Sequence, residues 1–300
     1  MKTFIIPAAL LFSSVAFAQN TVDAEQEGDN NYAEVSQVGA NNSATLYQNN
    51  SEHYLLIQQG APGNPATGNR ATVVQSGGVG SSNRAQIQQF GNDNEAYVSQ
   101  IGDDNEAYLL QTGDRNVGRI TQTVSGQQNI GSIDQSGDDN DAEVRQDDSG
   151  VFQSIGSINQ SGDGNTARIL QQSRNQGYID QSGNNNEANI QQIYGSLDTY
   201  ARIEQSGNGN QATIKQAQFS DFSEATVIQA GDDGMVLVNQ RGEDNFVSIS
   251  QSSGYANEAD VLQEGADNVL WLTQAGGGNA VTVTQPGNNN TLIISQVNPF

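Results

Sequence analysis

Apolar and polar residues alternate along nearly the whole chain in a phrase of eleven residues. It is clearest from Asn94 onward, where NEAYVSQIGDD is followed by NEAYLLQTGDR. Counted from the glutamine, position −2 is Val, Ile or Leu in every copy but the first, where it is Ala24. Position −4 is mostly Ala or Gly. Position −6 is Asn in 19 of 24 copies, and His53, Ser154, Thr199, Ser223 or Gly234 in the others. Steps of two are the period of a β-strand, and they put Asn, Ala, Ile and Gln on one face. Position +2 is Gly in 15 copies and lies among polar residues. That is turn chemistry, because glycine accepts positive φ at no steric cost. Each copy, here called an arm, is predicted to be about seven residues of strand and about four of turn.

One arm cannot bury its apolar face, but stacked arms can, so a fixed short period predicts a solenoid. The expected fold class is all-β: a two-sheet β-solenoid of about 12 strand–turn–strand rungs, roughly 55 Å long and amyloid-like in its cross-β order. The inward glutamines then align between rungs, and their amides can bond along the stack as Asn/Gln ladders do. Left unpaired, each buried amide would cost about 1–3 kcal/mol. The ladder is assigned to Gln89, Gln100, Gln111, Gln122, Gln135, Gln146, Gln160, Gln171, Gln181, Gln192, Gln205, Gln216, Gln229, Gln240, Gln251, Gln263, Gln274, Gln285 and Gln296. Gly102, Gly113, Gly137, Gly162, Gly183 and Gly207 are assigned to turns.

Arms on Gln26, Gln37, Gln48 and Gln59 are strictly spaced, and two long turns follow, Gly60 to Gly68 and Ser76 to Ser82. Between Gln122 and Gln229 the arms differ in alternation. Those on Gln135, Gln160, Gln181 and Gln205 read Q-S-G with tight turns. Those on Gln146, Gln192 and Gln216 lack the glycine and have longer turns. Insertions are therefore expected on one side of the solenoid, where turns tolerate them. The last arms, AVTVTQ (Ala280 to Gln285) and TLIISQ (Thr291 to Gln296), are uncharged and rich in β-branched residues. Such an edge is a template for another strand. Val281, Val283, Leu292 and Ile294 are the expected docking edge.

Residues 1–18 read differently. Lys2, an apolar run from Phe4 to Val15 and the small-x-small site Ala16-Phe17-Ala18 fit a secretory signal peptide, too short for a membrane span. The expected domains are this leader and one repeat domain, residues 19–300.

Composition narrows function. There is no Cys, which excludes disulfides and thiolate metal sites. His53 is the only His, so no His-based triad or three-His zinc site can form within the chain. No catalytic residue, cofactor or metal site is expected. The balance of 34 acids against 11 bases, a net charge of −23, speaks against nucleic acid, whose phosphates need a basic footprint. It keeps an otherwise sticky chain soluble by self-repulsion. The mean hydropathy of −0.58 would also suit disorder, but a disordered chain has no reason to keep an aliphatic residue two places before each glutamine.

The acids gather in turns, as at Asp103-Asp104, Asp138-Asp139, Asp163 and Asp232-Asp233. Solvated charge that discourages association is the default reading. Calcium is the alternative, without the G-G-x-G-x-D-x-U-x motif of calcium β-rolls. Outward positions carry Arg119, Arg145, Arg168 and Lys215 on one set of arms. The other set has Asp134, Asp180 and Glu204, with Arg202 an exception. An ordinary solvated face is the default there too; two faces of opposite charge is the alternative. Outward Tyr97, Tyr108, Tyr178 and Trp271 could stack on sugars, although aromatics also simply favour strands.

The repeats resemble those of the curlin family, the subunits of extracellular amyloid fibres of Gram-negative bacteria, whose pattern is S-x5-Q-x-G-x2-N-x-A-x3-Q. Gln100 to Gln111 (QIGDDNEAYLLQ) and Gln135 to Gln146 (QSGDDNDAEVRQ) match it, and the likeness runs over residues 20–300. The leading Ser is usually Asn here, and there are more rungs than in the familiar major subunit. The resemblance implies a secreted structural subunit that polymerises head to tail with itself into curli-like fibres for biofilm matrix, aggregation and adhesion. It also implies a nucleator and outer-membrane export proteins as partners. The alternatives are a monomeric or cell-surface adhesin binding sugars or surfaces, and the minor nucleator subunit.

Overall fold

A computed structural model describes residues 19–77, 82–123, 128–147, 153–193 and 195–298. The leader, parts of the turns at 78–81, 124–127 and 148–152, and Tyr194 lie outside the described residues. The fold is the predicted two-sheet β-solenoid. Successive arms alternate between two parallel sheets of twelve strands each. The first sheet runs from Thr21–Glu27 to Ala280–Pro286, and the second from Tyr32–Gln37 to Thr291–Val297. Strands pair in strict register, glutamine on glutamine and aliphatic on aliphatic, as with Val98↔Ile120 and Gln100↔Gln122.

The inward columns close a thin core. Leu55, Ile57, Ile87, Ile120, Ile169, Ile190 and Ile203 are each wholly buried at position −4 or −2. Where position −4 is Gly, it meets an aliphatic side chain of the opposite sheet. A methyl added to Gly131 would lie 2.7 Å from Ile120 Cγ2, and one on Gly156 would lie 2.7 Å from Val144 Cγ1. Those glycines answer a packing requirement, whereas the turn glycines answer a backbone one. Gly137 has φ 104°, and a Cβ there would sit 2.3 Å from the carbonyl oxygen of Gly162 in the next rung.

Most of the described turns have a second left-handed position, +4, which the sequence pattern did not single out. Asp93, Asp104, Arg115, Asp139 and Asn185 adopt φ between 55° and 58° there. Asx residues tolerate that region best. Arg115 occupies it while donating to Asp139 from Nε and Nη2, at 2.7 and 2.8 Å.

The insertions fall on both sides of the solenoid rather than one. In the middle they follow first-sheet strands, but Gly60 to Gly68 follows a second-sheet strand. There the chain bulges out over residues 61–65 and returns. Ala66–Thr67 pairs with Gly39–Ala40, and Asp93 N donates to Thr67 O. The turn column thus continues through the insertion.

Candidate functional site

The feature that spans the molecule is a pair of amide ladders. In the first sheet each glutamine Nε2 donates to the Oε1 of the next, from Gln26 to Gln285, at 2.5 to 3.1 Å. In the second sheet the same run goes from Gln37 to Gln296 at 2.8 to 3.0 Å. All point the same way, toward the later rung. The same nitrogen reaches backbone carbonyls inside the rung, as Gln100 Nε2 does to Arg84 O at 2.9 Å and Asn105 O at 3.0 Å. One side chain therefore ties its own rung together and links it to the next.

The −6 asparagines make a second column. Asn94 Oδ1 accepts from the backbone N of Asn116 at 2.9 Å, and its Nδ2 donates to Gly113 O at 2.8 Å. Ser154, Thr199 and Ser223 keep a hydroxyl in that column. His53 keeps a ring whose Nε2 lies 2.9 Å from Asn49 O, while its Nδ1 has no hydrogen bond. Burial holds the His53 pKa below the usual value, partly offset by the Asn49 carbonyl.

A third column runs through the turn acids. Asp114 N donates to Asp138 Oδ1 at 2.8 Å, and Asp138 N to Asp163 Oδ1 at 2.9 Å. These carboxylates thus cap backbone donors of the preceding rung. Among the described residues no group of three or more His, Asp and Glu is placed to hold a metal ion. The outward arginines are paired close by: Arg119 with Asp141 at 2.9 Å, Arg168 with Glu143 at 3.1 Å and Arg145 with Asp147 at 2.6 Å. The first sheet is thus an ion-paired face and not a basic one. Tyr97 lies outward on the first sheet, and Tyr108, Tyr178 and Trp271 on the second.

At the C-terminal edge Val283 is buried, Val281 and Ile294 are half-buried and Leu292 is 36% exposed. Ile293 and Val297 point outward, 73% and 69% exposed. At the opposite edge the inward residues are the smaller Val22, Ala24, Ala33 and Val35, exposed to half-buried. Among the described residues no helix is long and apolar enough to cross a membrane.

The ladders make this repeat β-solenoid a structural fold. The model of the Curlin associated repeat matches residues 19–49, 80–113, 242–276 and 270–297. The chain thus carries curlin-associated repeats at both of its ends. No curated protein matches it.

Proposed function

We propose that this chain is a secreted structural subunit that polymerises end to end into curli-like fibres, for matrix and adhesion on a Gram-negative surface. The observation that carries this reading is the common direction of the two glutamine ladders. It leaves acceptor oxygens on Gln26 and Gln37 at one edge and donor amides on Gln285 and Gln296 at the other. Continuing the register by one rung sets those donors on those acceptors. It also sets Val281, Val283, Leu292 and Ile294 on Val22, Ala24, Ala33 and Val35, the larger set on the smaller. Such a contact does not close on itself, so it generates a filament. A nucleator and an outer-membrane export pore are the partners this reading requires. The test is electron microscopy and fibre diffraction of the chain from Gln19, incubated after purification. Unbranched fibres with a reflection near ~4.8 Å along the axis are expected. A chain that stays monomeric and β-rich would sink the proposal.

A further inference from the structure

Nearly every strand presents charge on its outer side, and among the described residues no two successive strands of either sheet lack it, with one exception. The exception is the end of the second sheet, Phe246–Tyr255, Val269–Ala275 and Thr291–Val297. Within the paired register, the outward residues there are Phe246, Val269, Trp271, Ile293 and Val297, and otherwise only Ser, Thr or Ala. Phe246 and Trp271 pack at 4.8 Å with their rings tilted by 44°. Trp271 nevertheless stays 48% exposed, beside the outward Ile293 and Val297. Charge returns on both flanks. Glu224 pairs with Phe246 from the strand before, and in a filament Glu34 of the following copy stands beyond Ile293.

With a net charge of −23, two copies repel wherever their acids face each other. This face is the broad exception, and it is apolar at its centre. Three rungs by seven residues measure about 14 Å by 23 Å, or roughly 300 Å2. Two such faces bury about 600 Å2, only half of the ~1,200 Å2 at which specific interfaces begin. Single chains therefore gain too little to pair through it. A filament differs, because it repeats the face once in every twelve rungs, and one contact made holds the next at high effective concentration. We propose that this face joins two filaments of the chain side by side, like face on like face; the inference rests on the end-to-end reading above. The flanking acids set the register, since a slip of one rung presses Glu224 or Glu34 onto apolar surface and buries a charge. Two filaments that wind about each other at the twist of their sheets keep the faces together along their length.

The experiment is electron microscopy of fibres grown from the purified chain and held at about 0.15 M salt, where charges more than about 8 Å apart are largely screened. The unaltered chain should give paired filaments. Trp271→Glu and, separately, Thr273→Glu should each lower the ratio of paired to single filaments at least about tenfold. Seeded elongation should change little in either, because neither side chain belongs to the last rung. Leu237→Glu puts the same charge on an exposed apolar position of the first sheet and should leave the pairs intact. Circular dichroism checks that each variant keeps its strands. Sedimentation of the fresh, unassembled chain should show monomers, and dimers lost on Trp271→Glu would overturn the restriction to filaments. Pairs that survive both second-sheet variants would overturn the proposal, as would pairs lost equally in Leu237→Glu, which would assign the effect to overall acidity. Single filaments from the unaltered chain would sink this proposal alone, whereas no fibres at all would sink the end-to-end reading and this one with it.

Discussion

Gln135 donates its side-chain amide to Gln160 at 2.9 Å while also reaching Val117 O across the rung at 3.0 Å. A single glutamine is thus both a rung tie and a link between rungs, and neither role passes to an apolar side chain of similar size. Changing Gln135, Gln160, Gln181 and Gln205 together to Leu removes five ladder links, from that of Gln111 with Gln135 to that of Gln205 with Gln229, and strands the carbonyls they served. Each orphaned buried group costs about 1–3 kcal/mol. Chemical denaturation should show the middle rungs weakened, and fibre growth followed by dye fluorescence should slow or stop. Unchanged stability and kinetics would mean that the aliphatic columns alone set the register.

Gly137 offers a contrasting test. Its φ of 104° and the 2.3 Å separation between an added Cβ and Gly162 O leave no room for alanine. Strain at such a position costs on the order of 1–3 kcal/mol. Gly137→Ala should lower the thermal midpoint clearly. Asp139→Gly, at a left-handed position without that close approach, should lower it less even though it loses the Arg115 pair.

Much of this architecture follows from period two. With Asn, Ala, Ile and Gln spaced by twos, the inward columns and the pairing of like rungs have little freedom. The ladder direction is another matter, because an amide can point either way and the sequence is silent on it. The +4 position was hidden because Asn, Asp, Gly and even Arg115 fill it, in turns where Asn and Asp are everywhere. Ala66–Thr67 was hidden because the inserted residues before it break the spacing that identifies arms. A basic face is only the alternative reading of Arg119 and Arg168, and register decides against it by placing Asp141 and Glu143 in neighbouring rungs.

His53 should give the protein a pH-dependent stability near neutrality. Its folded pKa lies below the unfolded value, chiefly through burial. The unfolded chain therefore takes up a proton first as pH falls. The stability from keeping His53 neutral is present above the unfolded pKa of about 6.5, and is lost as pH falls from there toward the folded value. His53→Asn, the residue usual in that column, should flatten the slope of denaturation midpoint against pH below about 6.5. An equal slope in both proteins would place the dependence elsewhere.

Assembly should respond to screening. With 34 acids against 11 bases, subunits repel at neutral pH. Moderate salt screens that repulsion, and pH near 4 neutralises much of it. Fibre formation should accelerate under either condition, and calcium should act no differently from magnesium at equal ionic strength. The turn acids are already engaged, as Asp138 is by the Asp114 backbone. Acceleration by calcium alone would show that they bind metal.

The decisive prediction concerns the last rung. Outward-facing residues direct their backbone N–H toward the later rung, as Glu258 N does to Asn279 O and Val269 N to Asn290 O. Alternate residues of a parallel strand repeat that direction. The N–H of Ile293 therefore faces the open edge, where it has no bond to lose within the monomer. Proline at that position removes an edge donor and blocks close approach of another strand. Val283 is buried in the same rung, and lysine there sets a charge where the next copy would press Val22 and Ala24. Stability in a solenoid is nearly a sum over neighbouring rungs, so the damage stays local. The double variant Val283→Lys, Ile293→Pro should keep its β-rich circular dichroism. Seeded elongation should fall at least about tenfold, the effect of roughly 1.4 kcal/mol at the joint. Normal elongation by a folded double variant would reject docking through this edge.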